Sequence, residues 1–204
     1  MLDASEVVWR RRTKLEEDGG SRDARVLLVD RVGELGAWWG LSLMSGHIRG
    51  ITGDVKYMPM VVTYSGLIAL NRNWEIRYAP ELTALAMIDY QLEGATDPLA
   101  LRRRTYGSGI SPEGFRVNFR PTKRFQPYLS NNGGGIYFWN HVLSPQGSHF
   151  MFTLDAGCGF QVFRKLHQSV SVGYRYQHLW SASTNLNRPG TDTNTFYVAV
   201  SRFR

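Results

Sequence analysis

Residues 150–162 read Phe-Met-Phe-Thr-Leu-Asp-Ala-Gly-Cys-Gly-Phe-Gln-Val. Phe150, Phe152, Leu154, Ala156, Cys158, Phe160 and Val162 fall on one parity, while Thr153, Asp155, Gly157, Gly159 and Gln161 fall on the other. A period of two is that of a β-strand with one apolar and one polar face. The same alternation recurs on both sides of this stretch. It runs through Leu35, Ala37, Trp39, Leu41 and Leu43, through Met58, Met60, Val62 and Tyr64, and from Trp74 to Ile88. It returns at Phe115-Val117-Phe119, at Val170-Val172-Tyr174-Tyr176 and at Phe196-Val198-Val200. Phe125 to Trp139 is also strand-like, but Gly133-Gly134-Gly135 interrupts it and predicts a bulge or sharp bend.

About eight strands result, and their connections alternate in length. Those near 70–72, 121–123 and 164–167 are short, and those near 46–54, 91–111, 140–147 and 180–191 are long. Short turns at one end and long loops at the other describe an all-β, eight-stranded antiparallel up-and-down barrel of the outer-membrane type. A soluble lipid-binding barrel shares the strand count and differs in which face points inward. Three features favour the membrane. The apolar faces are long enough for a tilted span. The opposite faces carry Gly, Arg, Glu, Asp and Gln, suited to a polar interior. Trp38, Trp39, Trp74, Trp139 and Trp180 sit near strand ends, as an interfacial girdle does. The expected orientation follows. Phe152, Leu154, Phe160, Val172, Tyr174, Val198 and Val200 face away from the barrel axis, and Arg77, Glu81, Arg116, Asp155 and Arg175 face inward and pair.

The whole chain is consistent with this frame. It has 204 residues and one cysteine, Cys158, so neither a disulfide framework nor a four-cysteine zinc site is available. Mean hydropathy is −0.29, and no apolar run approaches the ~18–20 residues of a membrane-spanning helix. The net charge is +7, with runs at Arg10-Arg11-Arg12 and Arg102-Arg103-Arg104. Each run alone reads as a solvated loop. No nucleic-acid motif accompanies the charge, so no nucleic-acid partner is expected, and anionic lipid head groups are a natural one. Residues 1–34 read as an N-terminal extension, with a possible extra strand at 25–32, and residues 35–204 as the barrel domain. Met1 to Gly20 is charged and shows no apolar signal-peptide core.

None of His47, His141, His149, His167 and His178 is spaced at i+2 or i+4 from another histidine or a cysteine, so no metal centre is expected. His178 shares the parity of Val170, Val172, Tyr174 and Tyr176 near its strand's end. An ionisable group on a lipid-facing parity is a functional candidate, or else an interfacial histidine bonded to a hydroxyl.

Gly173-Tyr174-Arg175-Tyr176-Gln177-His178, followed by Asn187-Arg188-Pro189-Gly190-Thr191-Asp192, resembles the closing hairpin of the outer-membrane lipid A 3-O-deacylases, the PagL-like acyloxyacyl hydrolases. Weaker likeness extends upstream to Trp38-Trp39-Gly40-Leu41, Arg124-Phe125-Gln126-Pro127-Tyr128 and Phe150 to Phe160. The resemblance implies an outer-membrane location and lipid A, or lipopolysaccharide, of the outer leaflet as partner. It also implies ester hydrolysis without a cofactor, by a serine triad on the barrel's outer wall. His178 stands at the family's histidine and Asp192 at its acidic position. The family's serine, two residues after the histidine, is Trp180 here. Ser181 can take the nucleophile's place only if a one-residue bulge follows His178, because residues three apart on a strand lie on opposite faces. Ser183 lies further into the loop. The implied catalytic set is His178, Ser181 and Asp192. The alternative is a barrel of the same family without catalysis, in a structural or lipid-binding role.

Overall fold

Alternating side chains commit the backbone to strands, and strands in hydrocarbon must close on themselves to pair every N–H and C=O. The chain runs β1 (Gly33–Leu41), β2 (Ser45–Gly46), β3 (Lys56–Leu70), β4 (Trp74–Tyr78), β5 (Glu81–Gln91), β6 (Arg102–Phe119), β7 (Phe125–Phe138), β8 (Phe150–Lys165), β9 (Gln168–Ser181) and β10 (Thr191–Phe203). The computed structural model describes residues 33–42, 45–46, 55–91, 102–142, 148–165, 167–181 and 190–203. The strand expected at 25–32, and all of the extension before Gly33, lie outside these residues. All described pairings are antiparallel: β3 and β6 each pair with both β4 and β5, β6 to β10 pair in sequence, and β1 pairs with both β3 and β10 to close the ring. β4 and β5 are two halves of one barrel strand, interrupted at Ala79-Pro80, and β2 is a two-residue addition beside β10. The ring therefore has eight staves.

The apolar parity faces outward, except that the alternation read from Trp74 to Ile88 changes face at the register shift between Thr83 and Ala86, so Ala86 and Ile88 point inward. Phe152, Leu154, Phe160, Val172, Val198 and Val200 are exposed on the wall, and Tyr174 lies half-buried on the same face. The interior is filled in tiers. Near the long-loop end Tyr57, Ile88, Tyr90, Phe138, Met151 and Leu179 form an apolar cluster. Below it, Arg175 bonds Glu81 at 2.7 and 3.0 Å and Asp155 at 3.4 Å, with its guanidinium 4.6 Å from the Trp38 ring centroid. Nearest the short turns, Glu34 receives Arg116, Ser65 Oγ at 2.9 Å and Gln161 Nε2 at 3.1 Å, and lies 3.6 Å from Arg77. The five residues expected inside are all there.

Several expectations need correction. The connection read as 91–111 is shorter, because β6 begins at Arg102. Gly107 and Gly109 occupy its inward parity and blank out the polar half of the alternation. Arg102-Arg103-Arg104 is accordingly strand, not loop, and Arg102 and Arg104 pair with Asp89 at 2.6 and 3.2 Å. Trp38 is not part of a girdle: it points inward and is buried under Arg175, whereas Trp39 and Trp139 are exposed on the wall. The bulge signalled by the three glycines lies on the partner strand, where Ser111 and Pro112 both oppose Gly134, while β7 pairs with β8 without a shift. β1 begins at Gly33, and Glu34 within it is an interior anion near the short turns.

Arg175→Met leaves Glu81 and Asp155 buried without their counter-charge. The expected loss is about 3–5 kcal/mol in a urea titration of the refolded barrel. Leu154→Ala on the lipid face, where no interior cavity opens, is expected to lose far less. Equal losses would contradict the assignment of the two faces.

Candidate active site on the outer wall

His178 and Asp192 are direct cross-strand partners of β9 and β10. The rung lies one step from the start of β10 and three from the end of β9, at the long-loop rim. Directly opposed residues share a face, and here it is the outer one. His178 Nδ1 lies 2.6 Å from Asp192 Oδ1, with the histidine side chain 19% exposed and the carboxylate fully buried. With Nδ1–H donating to the carboxylate, the neutral ring presents Nε2 as an acceptor. This is the arrangement in which a carboxylate holds an imidazole in the tautomer of a general base.

Gly190 makes the fit possible. A Cβ there would stand 2.7 Å from His178 Cε1, 3.0 Å from its Nε2 and 2.6 Å from the Leu179 carbonyl oxygen, all inside normal contact. The glycine of the Pro-Gly loop therefore lets the backbone lie against the ring edge. On the other side of the rung, Asp192 pairs with Gly46 of β2.

The nucleophile's position is different. Pairing between β8 and β9 runs without interruption from Leu154↔His178 through Phe152↔Trp180 to Met151↔Ser181. No bulge follows His178. Trp180 therefore shares its face, and the two rings stack at 5.4 Å between centroids with 20° between planes. Phe152 continues the stack beyond Trp180 at 5.7 Å. Ser181 pairs with buried Met151 and lies on the interior face of β9, opposite to the imidazole. The expected bulge is thus absent, for the plain reason that β8 offers an unbroken ladder of partners. Ser183, and Asn187 to Pro189 of the closing loop, lie outside the described residues.

Asn194 is a site residue that the sequence reading missed. It follows Asp192 on the outward parity of β10, accepts from Tyr174 Oη at 2.5 Å, and donates its backbone N–H to Ser42 Oγ at 3.0 Å. Its signal was present. Asp192 and Asn194 are polar on a parity that continues as Phe196, Val198 and Val200. Two polar groups at the top of a lipid-facing stripe mark a place where the wall is not simply solvated by hydrocarbon.

The family model for lipid A 3-O-deacylase (PagL) matches residues 68–201. The chain belongs to the lipid A 3-O-deacylase family. Among solved structures, that of the outer-membrane enzyme PagL superposes with a TM-score of 0.56 at 15% identity, covering 81% of this chain and 97% of that one. Neisserial surface protein A superposes with a TM-score of 0.52 at 12% identity, covering 83% and 96%. At these identities both establish the fold alone. No curated protein matches the sequence. This deacylase-family chain is thus an outer-membrane barrel, and the apolar wall carrying His178 and Asp192 faces lipid. In it His178 and Asp192 are paired, and the Trp180 indole is stacked on the imidazole.

Gly190→Ala is expected to push the imidazole away from Asp192. The downfield Nδ1–H proton resonance of His178 in the refolded barrel should weaken or vanish, while global stability stays largely unchanged. An unaltered resonance would show that the ring does not depend on the glycine.

Proposed function

We propose that this barrel holds an acylated lipid of the lipid A class at its outer-leaflet rim without cleaving it. The reading is carried by one observation: the side chain stacked on His178 is the Trp180 indole. Serine-type ester cleavage needs a hydroxyl roughly 2.6–3.2 Å from the base. An indole N–H only donates, and cannot attack a carbonyl. The stack of Phe152, Trp180 and His178 instead forms a flat apolar platform beside a hydrogen-bonding imidazole. That combination suits an acyl chain and a polar group at the level of the head groups.

The retained His178–Asp192 pair favours a second reading, ester hydrolysis. In that mechanism Ser181 Oγ attacks the carbonyl of a 3-O-linked acyl chain while His178 takes its proton and Asp192 orients the ring; the ester C–O bond breaks as the imidazolium protonates the leaving 3-hydroxyl, and water then hydrolyses the acyl-serine to free fatty acid. It requires β9 to slip by one residue after His178, at the cost of the ladder to Met151.

Mass spectrometry of lipid A incubated with the purified barrel separates the two. The expected result is bound lipid with every ester-linked chain intact. Trp180→Ser should then yield a trace of free fatty acid, which His178→Ala in the same variant removes. Release by the unaltered protein that is lost in both Ser181→Ala and His178→Ala would establish the hydrolase. Release that survives Ser181→Ala and Ser183→Ala together, yet needs His178, would contradict any serine mechanism.

A further inference from the structure

The short-turn end of the barrel is strongly basic. The chain joins or ends strands there at residues 71–73, 120–124, 163–165, 167–168 and 201–203. These stretches contain seven Lys and Arg residues and no Asp or Glu. The rest of the sequence holds 17 Lys and Arg against 17 Asp and Glu, so the stretches at this end carry a charge equal to the whole net charge of +7. In an outer-membrane barrel the short turns lie at the inner, periplasmic leaflet. The His178 rim lies at the opposite end.

A groove on the lipid-facing wall leads into this basic end. Leu35, Val62, Val170 and Val200 stand around Ala37, whose single methyl leaves a depression of about 500 Å³. That volume is in the range of small-ligand sites. The groove crosses β3, β1, β10 and β9, all locally regular, so it arises from side-chain size alone. Gln168 and Arg202, cross-strand partners, close it toward the short turns, and Arg202 is exposed.

We propose that this groove seats one acyl chain of an anionic glycerophospholipid of the inner leaflet, with the phosphate held by Arg202. The wall lies in lipid, so an apolar depression in it is filled by a hydrocarbon chain. What selects the lipid is the group at the groove's end, and a guanidinium matches phosphate oxygens in geometry and charge. The surrounding basic stretches add attraction for a negatively charged head group over a zwitterionic one. The assignment rests on the barrel and its membrane location and is independent of what happens at His178.

Native mass spectrometry of the full chain in detergent tests it, with phosphatidylglycerol and phosphatidylcholine of identical chains as probes. The unaltered protein should retain one phosphatidylglycerol in preference to phosphatidylcholine. Arg202→Gln should lower phosphatidylglycerol retention about fivefold. Ala37→Phe fills the groove from the lipid side and should lower retention of both lipids. Arg124→Gln, in the same basic belt but outside the groove, should change neither. Heat-modified migration on a gel confirms that each variant is folded, and none of the three alters an interior residue. Equal losses from Arg202→Gln and Arg124→Gln would reduce the effect to diffuse charge and overturn the site. So would undiminished retention in Ala37→Phe, or displacement of the lipid by millimolar inorganic phosphate.

Discussion

The hydrogen-bond ladder that closes the ring governs everything else in this protein. Backbone groups facing hydrocarbon have no water to bond, so each stave must match its neighbours rung by rung. Once the ladder is continuous, the parity of each residue decides whether it meets lipid or the interior. A shift of one residue would exchange the two faces of a whole stave. Departures occur at defined points: Pro80 interrupts the β4–β5 stave, the β6 bulge sits opposite Gly134, and shorter register shifts lie in β3, in β5 and near the end of β8.

The candidate site shows how strict this constraint is. Asp192 and His178 meet because they are rung partners, and the aromatic stack on the wall follows from the same parity. The constraint that assembles the dyad also carries Ser181 inward, beside Met151. A hydroxyl three residues from His178 in sequence is thereby on the opposite face of the sheet. Membership of a deacylase family and an indole stacked on the histidine are compatible, since the fold depends on some 130 matched residues and a reaction on a few side chains.

The interior serves a different role. Its charges are arranged as compensated groups, with Arg175 between Glu81 and Asp155, and Glu34 between Arg116 and Arg77. Each group ties together staves that are far apart in sequence. Glu34 of β1 meets Arg116 of β6 and Gln161 of β8, across the lumen. Such pairs are weak evidence for net stability, but they make the wrong closure costly, because a mismatched ring would strand a buried charge. An apolar cluster above and ion pairs below leave the lumen packed with side chains.

Parity is legible in a linear string, because a strand's two faces are written in alternate letters. From it came the all-β class, the membrane-type barrel, the outward and inward sets, and the shared outer face of His178 and Asp192. Where side chains are small, the letters fall silent: Gly107 and Gly109 hid the first half of β6. Trp38 misled for the opposite reason. A tryptophan near a strand end reads as an interfacial ring, but Trp38 shares the inward parity of Glu34 and Gly36, and in the lumen it lies against Arg175 of β9. Register was the decisive quantity that no local pattern contains. Whether a bulge follows His178 depends on the partners that β8 presents, and those partners are Phe152 and Met151 in unbroken order. Tertiary pairing, not the identity of residues 178–181, therefore decided which side chain stands beside the imidazole.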